Sequence, residues 1–162
     1  MKNTFKLLAS LTIAGTLLLG ACGNDEEEKT KDNKTELKQE KPTTDKGKIE
    51  YEINKEIGSK VVKSVDYYDG EYTVTMKAQD NMTKKSELRM LKIDTSNALY
   101  GIKKSGVNVN SAVIMLEKGD SVAMSSRWSG ETINGLDEDS VYTLPDEMDT
   151  EAEQVNINAN YR

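Results

Sequence analysis

Histidine is absent from this chain of 162 residues, and cysteine, tryptophan and phenylalanine occur once each. Without His the chain lacks the commonest general base and the commonest transition-metal ligand. With Cys22 alone, no intrachain disulfide can form, and no base or co-ligand stands ready to make that thiol a nucleophile or a metal site. No Gly-x-Ser-x-Gly elbow, Ser-x-x-Lys pair, phosphate-binding glycine loop or zinc-protease helix can be found either. Acids are so numerous, 28 against 22 basic residues, that no carboxylate pair stands out for glycoside cleavage. The expectation is a protein that is not an enzyme and carries no cofactor or metal. A net charge of −6 also argues against nucleic acid as a partner.

What is present begins with an address. Lys2 and Lys6 precede an apolar run that reaches Leu19, broken only by Ser10, Thr12, Gly15 and Thr16, which is the pattern of a signal peptide. A transmembrane helix is the competing reading, but the uncharged stretch from Leu7 to Asn24 is short for a bilayer, holds glycines and ends in small residues. Leu19-Gly20-Ala21-Cys22 closes the run. These four residues resemble the lipobox of bacterial lipoproteins at every place. The resemblance implies cleavage before Cys22, a diacylglyceryl group on its thiol, further acylation, and anchorage to the outer face of the bacterial cell membrane. Two or more acyl chains on one residue are what firm anchoring requires, since each buried methylene contributes about 0.8 kcal/mol and one chain binds only marginally.

From Gly23 to Lys48 the chain turns to Asp, Glu, Lys, Asn, Thr and Pro, with Leu37 its one large apolar residue. Such a composition cannot offset its ordering entropy by burial, so residues 22–48 read as a lipidated, disordered tether after a signal peptide at 1–21. Residues 49–162 carry about −7 by formal count and suffice for one domain with one core, expected to be monomeric.

Within that domain, Ile49, Ile53, Ile57 and Val61 recur every fourth residue and Gly58 follows as a C′ residue, so a short amphipathic helix is expected, with strand alternation through Ile49, Tyr51 and Ile53 as the alternative. Asp69-Gly70 marks a type I′ hairpin pairing Tyr67 with Tyr72, Val65 with Val74 and Lys63 with Met76 on one face. Asn81 or Thr83 can cap a long helix toward Lys104 whose stripe is Leu88, Leu91, Thr95, Ala98, Leu99 and Ile102, ended by Gly106. A second hairpin follows around Lys118-Gly119-Asp120, its register open. Ser129 to Leu136 reads as a helical turn or two, and Val141–Leu144 and Val155–Ile157 as short extended pieces.

Helix, hairpin, helix, hairpin predicts an α+β domain, an antiparallel sheet of two hairpins with helices on one face. This order and the helix start at Asp80-Asn81-Met82-Thr83 loosely resemble small domains of lipoproteins from Gram-positive bacteria and their mobile elements, a resemblance that brings no active site with it. Two patches are candidates for contact. Arg127 and Trp128, where a strand gives way to a loop, suit a carbohydrate or peptide ligand; the plainer reading buries Trp128 and leaves Arg127 in water. The acids from Asp137 to Glu153 are oxygen-rich enough to suggest Ca²⁺, yet they lack the spacing of a calcium loop and read as a solvated surface. The functional expectation is a membrane-anchored module that binds a protein, peptide or cell-wall ligand, its partner an extracytoplasmic protein, peptide or glycan; the alternative is a mobile-element exclusion or protective factor at the membrane face, and a hydrolase comes third.

Overall fold

The computed structural model describes residues 41–79 and 83–161, leaving out the side chains of Lys84 and Lys85. The expected signal peptide, the residues Leu19, Gly20, Ala21 and Cys22 of the expected lipobox, and Asp80 to Met82 lie outside the described residues. The elements run α1 (Asp45–Ile57), β1 (Val62–Tyr68), β2 (Glu71–Lys77), α2 (Lys84–Lys104), β3 (Ser111–Lys118), β4 (Ser121–Ser129), α3 (Gly130–Gly135), α4 (Ser140–Glu151) and β5 (Gln154–Ile157), with a closing 3-10 turn at Ala159–Tyr161. The class is α+β, as the patterning predicts. No described helix is long and apolar enough to cross a membrane.

Helix α1 forms because Thr44 caps it, its hydroxyl accepting the Gly47 N–H at 3.2 Å, and because Ile49 and Ile53, one turn apart, are both fully buried. Gly58 ends it at φ 74°, a conformation glycine adopts without steric cost. Asp45 to Lys48, which composition assigned to the tether, form its first turn. Their polarity hid this, since the helix presents an apolar stripe only from Ile49 onward.

The first hairpin follows local chemistry closely. Asp69 at φ 49° and Gly70 at φ 85° make the type I′ turn, and Tyr67 faces Tyr72 while Val65 faces Val74. The expected Lys63–Met76 pair does not form: the register shifts between Val62 and Ser64, so Val62 faces Met76. This bulge keeps Val62 in the core and frees Lys63 to pair with the Glu117 carboxylate on β3. A bulge with a lysine also blunts β1 as an edge strand.

The sheet itself is mixed rather than antiparallel. Its order is β1-β2-β3-β4-β5, and β3 lies parallel to β2, with Glu71 opposite Ser111 and Lys77 opposite Glu117. The reason is α2. A helix of 21 residues runs about 32 Å, long enough to carry the chain back along the whole of β2, so β3 starts level with β2 instead of turning against it. The second hairpin turns at Gly119, φ 59°, and shifts register between Leu116–Met124 and Glu117–Val122, leaving Ala123 as an extra buried residue. Its ambiguous sequence register is resolved by that bulge. β5 then adds antiparallel to β4, with Ser126 opposite Val155.

One face of the sheet is buried and carries the core. Its rows are Tyr72, Ala112 and Trp128, then Val65, Val74, Ile114 and Ser126, then Val62, Met76, Leu116 and Met124. Leu91, Ala98, Leu99 and Ile102 of α2 cover them together with Ile49 and Ile53 of α1. The two helices meet closely at Gly101, where a Cβ would lie 2.7 Å from the Ile53 Cα. Val141 to Leu144 belongs to α4 and is not extended. Pro145 biases its predecessor toward extended backbone, but burying Leu144, Pro145 and Met148 on one side of a helix prevails.

Candidate functional site

Because the packing of the described residues lies on one side, the other face of the five-stranded sheet is left open by them. Alternation dictates what it shows. On β2 the outward residues are Glu71, Thr73, Thr75 and Lys77; on β3 they are Ser111, Val113, Met115 and Glu117; on β4, Ser125, Arg127 and Ser129; on β5, Gln154 and Asn156. Register aligns them into rows. Thr73, Val113, Arg127 and Gln154 form one, and Thr75, Met115, Ser125 and Asn156 the next. In both rows a hydroxyl on β2 is followed by an apolar side chain on β3 and ends on an amide at β5.

The charges on this face are largely paired: Asp66 of β1, opposite Thr73, accepts from Ser64 Oγ at 3.0 Å and lies 3.8 Å from Lys46 Nζ, and most of the others meet one another. Glu71 Oε2 accepts from Ser111 Oγ at 2.8 Å and from Arg127 Nε at 2.7 Å, and lies 2.5 Å from Arg127 Nη2. Glu153 stands 3.8 Å from Arg127 Nε on the other side. Lys63 pairs with Glu117 across the far end. Lys77, at the end of β2, is exposed at the rim. By contrast, the side chains of Thr73, Thr75, Ser125, Gln154 and Asn156 make no hydrogen bond among the described residues, so their donors and acceptors are available to a ligand. A depression of about 110 Å³ lies between Ser125, Gln154 and Asn156, bounded also by Glu71, Val113, Ser126 and Arg127. Tyr68, 85% exposed, stands at the corner of the face opposite Glu71.

Arg127 and Trp128 therefore do not form a shared patch. As neighbours on a strand they project to opposite faces. Trp128 is fully buried in the core with its indole N–H donating to Ser126 Oγ at 2.8 Å, which removes it from any ligand surface. Arg127 stays on the open face, but held by Glu71.

The acidic stretch is mostly helix. Asp137 accepts from the Ser140 N–H at 2.8 Å and from the Ser140 hydroxyl at 2.6 Å, and these bonds hold its pKa below the usual carboxylate value. They secure the start of α4. Glu131, Glu147 and Glu151 line a hollow of about 400 Å³ between α3 and α4, yet among the described residues no group of three or more acid side chains is arranged to hold a metal ion. A larger hollow, about 620 Å³, runs beside α1 from Pro42 to Lys60, where Asn54 Oδ1 is already engaged by the N–H groups of Val61 and Val62 at 2.8 and 3.1 Å. Asp94, whose burial pushes its carboxyl up to about 6, sits in α2 away from the open face.

Sequence reasoning missed the open face as a site because its members come from four strands whose order only the fold supplies. The period-two alternation was the available signal. Compared with known proteins, the chain matches no family model, no curated protein and no solved structure.

Proposed function

We propose that the protein is a binding module anchored by acyl chains on Cys22 to the outer face of the bacterial cell membrane, and that it meets its partner with the open face of the sheet. The lipobox Leu19-Gly20-Ala21-Cys22 carries the first half of this reading. The second half rests on the row of hydroxyl and amide side chains left without hydrogen-bond partners among the described residues, beside the Val113–Met115 strip. A catalytic reading has no comparable support: the carboxylate and guanidinium that meet at the face, Glu71 and Arg127, neutralise each other, and His and further Cys are missing from the sequence.

Cys22→Ser tests the anchor directly. The variant is expected to lose fatty-acid labelling and to leave the membrane fraction, with the domain still folded because Cys22 precedes the packed elements. Labelling and membrane retention at the level of the natural chain would refute the anchor. The mobile-element exclusion factor is a use of the same anchored module, and loss of protection against phage or conjugation in a deletion strain would identify it.

A further inference from the structure

We propose that the open face binds an uncharged glycan chain of the cell wall, laid across β2 to β5 with sugar rings on Val113 and Met115. The inference deepens the proposed function and rests on its placement of the domain outside the membrane. A pyranose ring offers an apolar C–H face and a rim of hydroxyls, and the sheet offers the complement. Val113 and Met115 are adjacent outward residues of β3, both half-buried, and form an apolar strip. Thr73 and Thr75 border it on one side, Ser125 on the other, and the planar amides of Gln154 and Asn156 lie beyond. Amides and hydroxyls both donate and accept, so they serve a ligand that does the same at every position.

Charge and shape narrow the class further. Glu71, Arg127 and Glu153 are spent on one another, Lys63 on Glu117, and Asp66 on Lys46 and Ser64, so the face gives little hold to a polyanion or a polycation. A domain of about −7 repels anionic polymers besides. A protein partner would want a buried aromatic or aliphatic anchor at its centre, whereas the described large hydrophobics exposed on this domain are Tyr67, Tyr68 and Tyr142. Of these Tyr68 alone borders the open face, at its corner, where a ring can stack on a terminal sugar. A peptide strand would pair with an edge, not lie across a face.

The test uses the full chain with its anchor in detergent micelles and chitotetraose, a neutral N-acetylglucosamine oligomer, as probe. Isothermal titration is expected to give saturable binding with Kd of about 1 mM or tighter, as befits a shallow site. Gln154→Ala with Asn156→Ala should weaken it about tenfold or more while the melting temperature stays put, because both side chains are exposed. Co-sedimentation with purified peptidoglycan should fall in the same variant. Tyr68→Ala should weaken binding less. Absence of saturable binding to chitotetraose and to peptidoglycan overturns the proposal, and so does binding that the double variant retains in full. A protein captured by a photo-crosslinker at position 156, with the glycans silent, would overturn the glycan while leaving the anchored module intact; membrane retention of Cys22→Ser would fail the module instead.

Discussion

Replacing Asp94 by Asn should make the domain more stable at neutral pH and no more stable in acid. Asp94 is 3% exposed, in the middle of α2 between Thr95 and the turn of Leu91, and the hydrogen bond it receives from Gln79 Nε2 is long, 3.5 Å. Burial disfavours its charged form and pushes its pKa from 3.8 up to about 6. In the folded chain the proton is therefore held more tightly than in the unfolded chain. Between pH 4 and 6 the native state binds more protons, so stability falls as pH rises through that window and stays lowered above it. Going from 3.8 to about 6 corresponds to about 3 kcal/mol at 1.36 kcal/mol per pKa unit, an upper value because the helix relaxes around the charge. Asn keeps the shape, carries no charge and can still bond Gln79. The gain expected at pH 7.5 is about 1–3 kcal/mol, or several degrees in melting temperature. Urea titrations of both chains from pH 3 to pH 8 give the difference, in which other carboxylates cancel. It should be near zero below pH 4, rise to about pH 6 and then level off. A difference constant across that range, or a variant less stable at pH 7.5, would refute the reasoning.

Two substitutions probe the backbone. Gly70→Val forces a β-branched residue to φ 85° and should lower stability by about 1–3 kcal/mol, whereas Gly70→Asn, tolerated in type I′ turns, should cost much less; chemical denaturation of the two variants separates them, and equal values would contradict the turn. Gly101→Ala places a methyl group 2.7 Å from the Ile53 Cα, so α1 must move off α2; a loss of about 1–3 kcal/mol is expected, with the largest loss of amide-exchange protection in α1, and unchanged protection there would show that the helices do not touch at this point.

Legible in the sequence is what short-range chemistry determines. Asp69-Gly70 specifies its own turn, and a two-residue turn then sets every pair up to Ser64 and Thr75. Gly58 and Gly106 stop α1 and α2 through their own backbone freedom, at φ 74° and 69°. The parallel union of β2 with β3 had no such local mark. It depends on where 21 residues of helix deliver the chain, and on the burial of Leu91, Ala98, Leu99 and Ile102 in the core that both strands share, which are properties of the packed whole. Pro145 disfavours helix in its predecessor, and the burial of Leu144 and Met148 in the core offsets this in α4. The bulges at Lys63 and Ala123 are likewise answers to packing, since each keeps an apolar neighbour inward where an unbroken register would have turned it out.

The same distinction explains the site. Arg127 and Trp128 are neighbours in the sequence, but a strand separates adjacent side chains and unites distant ones. Arg127 ends beside Glu71, Val113 and Gln154, none of them near it in sequence, while Trp128 joins Ala112 and Tyr72 beneath the sheet. A sheet covered on one side must keep the other side wet, and short hydroxyl and amide side chains do so without recruiting charge. Their unspent hydrogen-bonding groups are also what a glycan would use. Binding by such a face would draw on many small contacts and no deep anchor, so each domain would hold weakly. Many anchored copies facing a polymer of repeated sugars would offset that weakness through effective concentration, without any tighter site. On this reasoning, detaching the domain by Cys22→Ser should reduce its association with the wall far more than its affinity for chitotetraose, and equal losses in both would mean that the variant had damaged the face itself.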